Sequence, residues 1–165
     1  MIRSRHLCVM GISGSGKSTL GPLLAERLGL PFKDADDFHP PANIAKQAAG
    51  QPLTDEDRRP WLDAIGTHLA AHPEGAIVGC SALRQVYRDG LRAACPDVVF
   101  LFLTGDPELI ARRQSARKGH FMPASLIASQ LATLERPDPA EEIISLDVAL
   151  APDALADAAV EALGG

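Results

Sequence analysis

Gly11-Ile12-Ser13-Gly14-Ser15-Gly16-Lys17-Ser18, with Thr19 directly after it, is the stretch from which the fold is read. It satisfies the P-loop pattern G-x-x-x-x-G-K-[ST] and follows the apolar run Leu7-Cys8-Val9-Met10. Strand, glycine-rich turn and helix in that order make a cradle for nucleotide phosphates. The glycines let backbone N–H groups approach phosphate oxygens, and the helix behind them points its positive end at the same oxygens. Lys17 is expected to reach the outer phosphates. Ser18 is expected to ligate Mg²⁺ through its hydroxyl. The glycines read G-x-x-G-x-G, not the G-x-G-x-x-G of a dinucleotide oxidoreductase. The lone asparagine, Asn43, precedes Ile44, so the N-K-x-D guanine reader of a GTPase switch is missing.

Outward from the P-loop, the apolar pattern alternates strands with helices. Strands are expected over 31–34, 76–80, 98–103 and 143–146. Helices are expected over 17–28, 41–49, 54–71, 83–94 and 123–134, from Pro107, and over 152–163. Thr54 with Asp57 reads as a helix N-cap, and Pro60 predicts a kink or split near Arg59. This is the α/β class: a parallel sheet flanked by helices, in one domain spanning 1–165.

With 165 residues, 46% hydrophobic, 22% charged and a net charge of −5, the chain is an ordinary globular one with no electrostatic case for nucleic acid or an anionic membrane. No stretch has the length of a membrane span, so a cytoplasmic protein is expected. Cys8, Cys80 and Cys95 lack the spacing of a zinc site or a disulfide framework, and Cys8 and Cys80 read as buried thiols.

Two clusters can supply chemistry. Asp34-Ala35-Asp36-Asp37 closes the second strand, on the side of the sheet where ligands bind. Phosphoryl transfer to an alcohol needs one group for the hydroxyl proton and one for the metal or its waters. Asp36 is the candidate base and Asp34 the candidate metal partner through water. Arg112-Arg113-Gln114-Ser115-Ala116-Arg117-Lys118 places four cations in seven residues, a pattern suited either to a flap over the triphosphate or to a solvated helix face.

The segment Asp34 to Leu62, DADDFHPPANIAKQAAGQPLTDEDRRPWL, resembles the gluconate kinase block D-G-D-x-x-H-P-x-x-N-I-x-K-M-x-x-G-x-P-L-x-D-x-D-R-x-P-W-L. Cys80-Ser81-Ala82-Leu83-Arg84 and Tyr87-Arg88-Asp89 are similar to a second block of that family. Arg117-Lys118-Gly119-His120-Phe121-Met122 resembles its lid, and Ser129-Gln130 through Leu134-Glu135 the helix after it. The resemblance covers most of residues 8 to 142. It implies a small P-loop kinase like adenylate and shikimate kinases, with five parallel strands in the order 2-3-1-4-5. A substrate-binding insertion at about 37–72 and a lid at about 112–124 are part of that expectation.

The implied reaction is transfer of phosphate from ATP, with Mg²⁺, to the 6-hydroxyl of D-gluconate, and a homodimer is suggested. Asp36, Lys17 and Arg117 are then catalytic. Arg113 and Arg117 contact ATP, while His39, Arg58, Ser81, Arg84, Arg88 and His120 join Asp36 around the sugar acid. Arg58 or Arg84 can offer a fork to the carboxylate. Adenine is expected against 147–153. Two positions depart from the family pattern: Ala35 stands for Gly and Gln47 for Met. A shikimate-kinase-like or nucleotide-kinase-like enzyme is the alternative on fold, and a silent ATP-binding module the alternative in kind.

Overall fold

Period-two alternation in β1 (His6–Met10) decides the layering. Leu7 and Val9 face one side of the sheet, Cys8 and Met10 the other, and all four are fully buried. The computed structural model describes residues 5–12, 14–51, 53–116 and 124–164. Its strands are β1, β2 (Phe32–Asp34), β3 (Ala76–Gly79), β4 (Val99–Thr104) and β5 (Ile144–Asp147), all paired in parallel in the order β2-β3-β1-β4-β5. That is the expected order.

The helices are α1 (Lys17–Leu28), α2 (Pro41–Ala48), α3 (Asp55–Ala70), α4 (Gln85–Ala94), α5 (Pro107–Ala116), α6 (Ala124–Thr133) and α7 (Pro152–Ala162). On one face Leu20 and Leu24 of α1 and Leu155, Ala156 and Ala159 of α7 cover Leu7, Val9, Leu101 and Leu103. On the other, Trp61, Ile65 and Leu69 of α3 with Tyr87 and Leu91 of α4 cover Cys8, Met10, Phe100 and Phe102. Burial of each large side chain contributes about 1.5–3 kcal/mol.

The strands end within a residue or two of expectation. Of the kink or split expected near Arg59, the split is absent: α3 runs unbroken through Pro60. Pro60 stands in the second turn, and the carbonyl it leaves without a helix donor belongs to solvent-exposed Glu56. Thr54 and Asp57 form a reciprocal capping box at its start. Among the described residues no helix is long and apolar enough to cross a membrane.

Arg88 corrects the sequence reading. Expected beside the sugar acid, it is fully buried and its guanidinium is committed to protein acceptors. Nε and Nη2 donate to Glu141, at 2.8 and 3.1 Å, and Nη1 and Nη2 donate to the carbonyls of Ala82 and Glu135, at 2.8 and 3.0 Å. Ala82 has φ 47, a left-handed conformation costly for a residue with a Cβ. Arg88 therefore pins a strained turn behind β3 to the segment that follows α6. Its hydrogen bonds, with that from the Asp138 amide, hold the Glu141 carboxyl at about 2, well below its ordinary value.

The sign of the pH effect follows. The native state binds the Glu141 proton more weakly than the unfolded chain does. The stabilisation is complete above about pH 4.5 and disappears as pH falls toward 2. Its size is about 3 kcal/mol. Urea unfolding from pH 6 to pH 2 should show this loss, and Glu141→Gln should flatten it. Arg88→Met should cost about 3–5 kcal/mol at neutral pH, because the buried Glu141 loses its principal partner and, among the described residues, keeps only Arg92 and the Asp138 amide.

Candidate active site

Three loop ends meet at the carboxyl edge of the central strands. Gly11 follows β1 and donates its backbone N–H to the Ser81 carbonyl, 3.3 Å away, which joins the P-loop to the turn after β3. A Cβ at Gly11 would lie 2.9 Å from the Leu103 carbonyl oxygen and 2.7 Å from Ser15 Oγ, so only glycine fits. Gly16 caps α1 at φ 107, where a side chain would be strained. Ser15 is buried, and its hydroxyl has no hydrogen-bond partner among the described residues. A phosphate-directed loop accounts for a polar atom kept in that position.

Lys17 Nζ lies back along this loop, donating to the carbonyls of Gly11 and Ile12 at 2.8 and 3.0 Å. Burial lowers its ammonium pKa, while Cys80, Asp34 and Asp36 pull it the other way. A cation held among carbonyls and partly stripped of water is ready to exchange those partners for phosphate oxygens. Ser18 Oγ donates to Asp34 Oδ2 at 3.4 Å, and Asp34 Oδ1 accepts the Asp36 amide at 3.0 Å. The second bond caps the short 3₁₀ turn Ala35–Phe38 and fixes where Asp36 stands. Ser18 and Asp34 offer oxygen donors only, the set preferred by a hard divalent cation such as Mg²⁺. Partial burial, and then the charge of Asp34, raise the Asp36 pKa above that of an ordinary aspartate; His39 and Lys17 oppose the rise.

Trp61 ties α3 to this turn, donating from Nε1 to the Ala35 carbonyl at 2.7 Å. His39 stacks on the Trp61 indole at 4.5 Å and 6° between ring planes, with Nδ1 3.3 Å from Asn43 Nδ2. Burial, and the nearby Arg58, favour its neutral form against the pull of Asp36. A neutral imidazole can accept or donate to a hydroxyl. Ala35 adopts ordinary backbone angles, which is why this chain does without the glycine of the family pattern. Gln47 is exposed on α2.

Arg58 and Arg84 both reach Tyr87. Arg58 Nη1 donates to the Tyr87 hydroxyl at 3.0 Å, and that hydroxyl donates to Asp55 Oδ1 at 2.6 Å. Arg84 Nη1 meets Asp55 Oδ2 at 2.5 Å, with its Nε 3.7 Å from Glu135. Asp55, Tyr87, Trp61 and Glu135 are members of this site that sequence reasoning left without a role. Asp55 and Tyr87 were inside the quoted family blocks, so the signal was present.

Beside the P-loop a cavity of about 300 Å³ is bounded by Gly14, Gly16, Thr19 and Leu20 on one side and by Arg113, Leu150, Pro152 and Leu155 on the other. Arg113 donates to the Val148 carbonyl at its rim. The cavity includes part of the 147–153 loop, where adenine contacts were expected. Of the expected residues, Gly11, Ile12, Gly14–Thr19, Asp34, Asp36 and Ser81 gather around the P-loop edge, His39, Arg58 and Arg84 continue from it, and Arg88 does not join them. Ser13, Arg117 and His120 lie outside the described residues.

A family model described as shikimate kinase matches residues 13–136. The gluconokinase of Gluconobacter oxydans is 45% identical over 92% of this chain and 87% of its own length. The thermosensitive gluconokinase of Escherichia coli is 45% identical over 85% of this chain and 77% of its own. A gluconokinase structure from Sinorhizobium meliloti superposes with a TM-score of 0.90 at 45% identity, covering 99% of this chain and 94% of that one.

Trp61→Phe should keep the stack on His39 but leave the buried Ala35 carbonyl without its donor. Urea unfolding should show a loss of about 1–3 kcal/mol. A stability equal to wild type would contradict the role given to this bond.

Proposed function

The chain belongs to the gluconokinase family of P-loop kinases, and from that premise we propose that it phosphorylates D-gluconate on its 6-hydroxyl at the expense of ATP. The observation that carries the reading is the grouping of Asp36 and Arg58 about His39, which lies within electrostatic reach of both. Asp36 offers a carboxylate that can take a proton, and Arg58 a guanidinium that can hold a carboxylate. A six-carbon acid with an alcohol at its far end matches that arrangement in chemistry.

In the proposed reaction the 6-hydroxyl oxygen of gluconate bonds to the γ-phosphorus of ATP as the bond to the bridging oxygen of ADP breaks. The hydroxyl proton passes to the Asp36 carboxylate. The P-loop amides and Lys17 hold the phosphates and stabilise charge on them as it redistributes. Mg²⁺, held by Ser18 and through water by Asp34, would neutralise charge on the β- and γ-phosphates. Arg113 and Arg117 are proposed on ATP, with His120 and Ser81 beside the acceptor and the 112–124 segment acting as the lid. Arg58 and Arg84 are proposed on the acceptor carboxylate. Cytoplasmic residence, expected from the sequence, and homodimeric assembly, suggested by the family resemblance, belong to the same proposal.

ADP release measured against gluconate, other sugar acids, shikimate and nucleoside monophosphates tests this reading. Stimulation by gluconate above the others is expected; none would sink it. Asp36→Asn should lower kcat by about 100-fold or more with ATP binding retained. Because the base works only when ionised, wild-type kcat should fall as pH falls through the raised Asp36 pKa. That acid limb lies above the range of an ordinary aspartate. The residual rate of Asp36→Asn should lack it.

A further inference from the structure

Two guanidinium groups flank one phenol ring. The Arg58 and Arg84 Cζ atoms lie 5.4 and 5.7 Å from the centre of the Tyr87 ring. Like charges so placed repel, and each long side chain loses rotamer freedom when it is held in one orientation. Something must offset both costs. The Tyr87 hydroxyl accepts from Arg58 Nη1 and donates to Asp55 Oδ1, while Asp55 Oδ2 takes Arg84 Nη1. One hydroxyl and one carboxylate thus fix both cations, and the ring's electron-rich face favours each.

We infer that Tyr87 and Asp55 are positioning residues that hold Arg58 and Arg84 as a two-guanidinium clamp for the acceptor carboxylate, and so set the preference for an acid over a neutral sugar. The inference rests on the proposed function and adds to it a frame and a specificity. Tyr87 is nearly buried, at 7% exposure, so it serves as the fixed part. The arginine side chains keep 30% and 37% of their surface exposed, so ligand can reach them. Among the described residues Arg58 hydrogen-bonds through Nη1 alone, leaving its Nε and Nη2 donors for a carboxylate. Arg84 is steadied from its other side by Glu135, whose Oε1 accepts the Gln85 amide at 2.8 Å and whose amide donates to the Leu83 carbonyl at 2.7 Å. Arg84 is thereby tied to the segment that follows α6, and Arg58, itself on α3, is tied to Tyr87 of α4.

The competing account gives Asp55 the opposite effect. There it occupies the arginines as an internal carboxylate that substrate must displace, and its removal would tighten substrate binding. The frame predicts weaker binding, because unheld guanidiniums must be ordered by the substrate itself.

The test compares D-gluconate with D-gluconamide, the same chain with its carboxylate replaced by a neutral amide. Wild type, Tyr87→Phe and Asp55→Asn are assayed with both acceptors at saturating ATP. Tyr87→Phe should raise the gluconate KM about tenfold, with kcat and the ATP KM within about twofold of wild type. The ratio of kcat/KM for gluconate over gluconamide should fall by a similar factor in both variants. A merely structural defect would depress both acceptors together and leave that ratio unchanged, which would overturn the inference. A lower gluconate KM in Asp55→Asn would overturn it in favour of the displaced-carboxylate account. Should Tyr87→Phe fold poorly, Asp55→Asn still decides the question, since Asp55 is half exposed and its replacement keeps its shape. Wild-type enzyme without gluconate turnover would instead remove the proposed function, and the clamp with it.

Discussion

Parallel pairing of β1 between β3 and β4 is the constraint on which the site depends. In a parallel sheet every strand ends at the same edge, so the turns after β1, β2 and β3 emerge side by side. The P-loop, the Asp34–Asp36 turn and the Ser81–Arg84 turn are such continuations. Residues far apart in the chain become neighbours without any contact designed for that purpose. The buried alternation that locks the register also fixes the positions of Gly11, Asp36 and Ser81, because slipping β1 by one residue would exchange Leu7 and Val9 for Cys8 and Met10 across the sheet.

The arginines of the acceptor side divide into two kinds by environment. Arg88 is enclosed and satisfied by Glu141 and two carbonyls, so it supports the backbone and cannot approach a substrate. Among the described residues Arg58 is hydrogen-bonded through Nη1 alone and Arg84 is held at Nη1 by Asp55 and flanked at Nε by Glu135, yet both side chains stay partly exposed. Position within a motif does not separate these roles. Arg84 is the N-cap of α4 and Arg88 lies a turn further along, rotated toward the interior. A difference of four residues decides whether the same cation stays partly open to solvent or is enclosed beneath the turn after β3.

Much of this was legible in the chain. The P-loop flanks gave β1 and α1, apolar runs gave the other strands nearly to the residue, and the family blocks gave the strand order. What was not legible follows from tertiary effects. Pro60 looked like a break because a lone proline disfavours a helix, yet a capping box and a buried face keep α3 continuous. Arg88 looked like a substrate contact because the family resemblance implied it, and only the fold reveals Glu141, 53 residues away, waiting inside. Tyr87 and Asp55 carried no role because their meaning lies in geometry around a shared hydroxyl. Asp36 and Asp34 were separable as base and metal partner only as a chemical need. The structure adds the capping bond that orders them and the burial that shifts Asp36 upward.

The central claim is that Asp36 and the P-loop work on a primary hydroxyl whose substrate is held at its opposite end by a carboxylate. Phosphorus NMR of the product made from ATP and D-gluconate tests it most directly. The account predicts one new phosphate monoester signal split into a triplet by the two hydrogens on C6. A doublet, which marks phosphate on a secondary hydroxyl, would contradict it, as would release of inorganic phosphate with no ester formed.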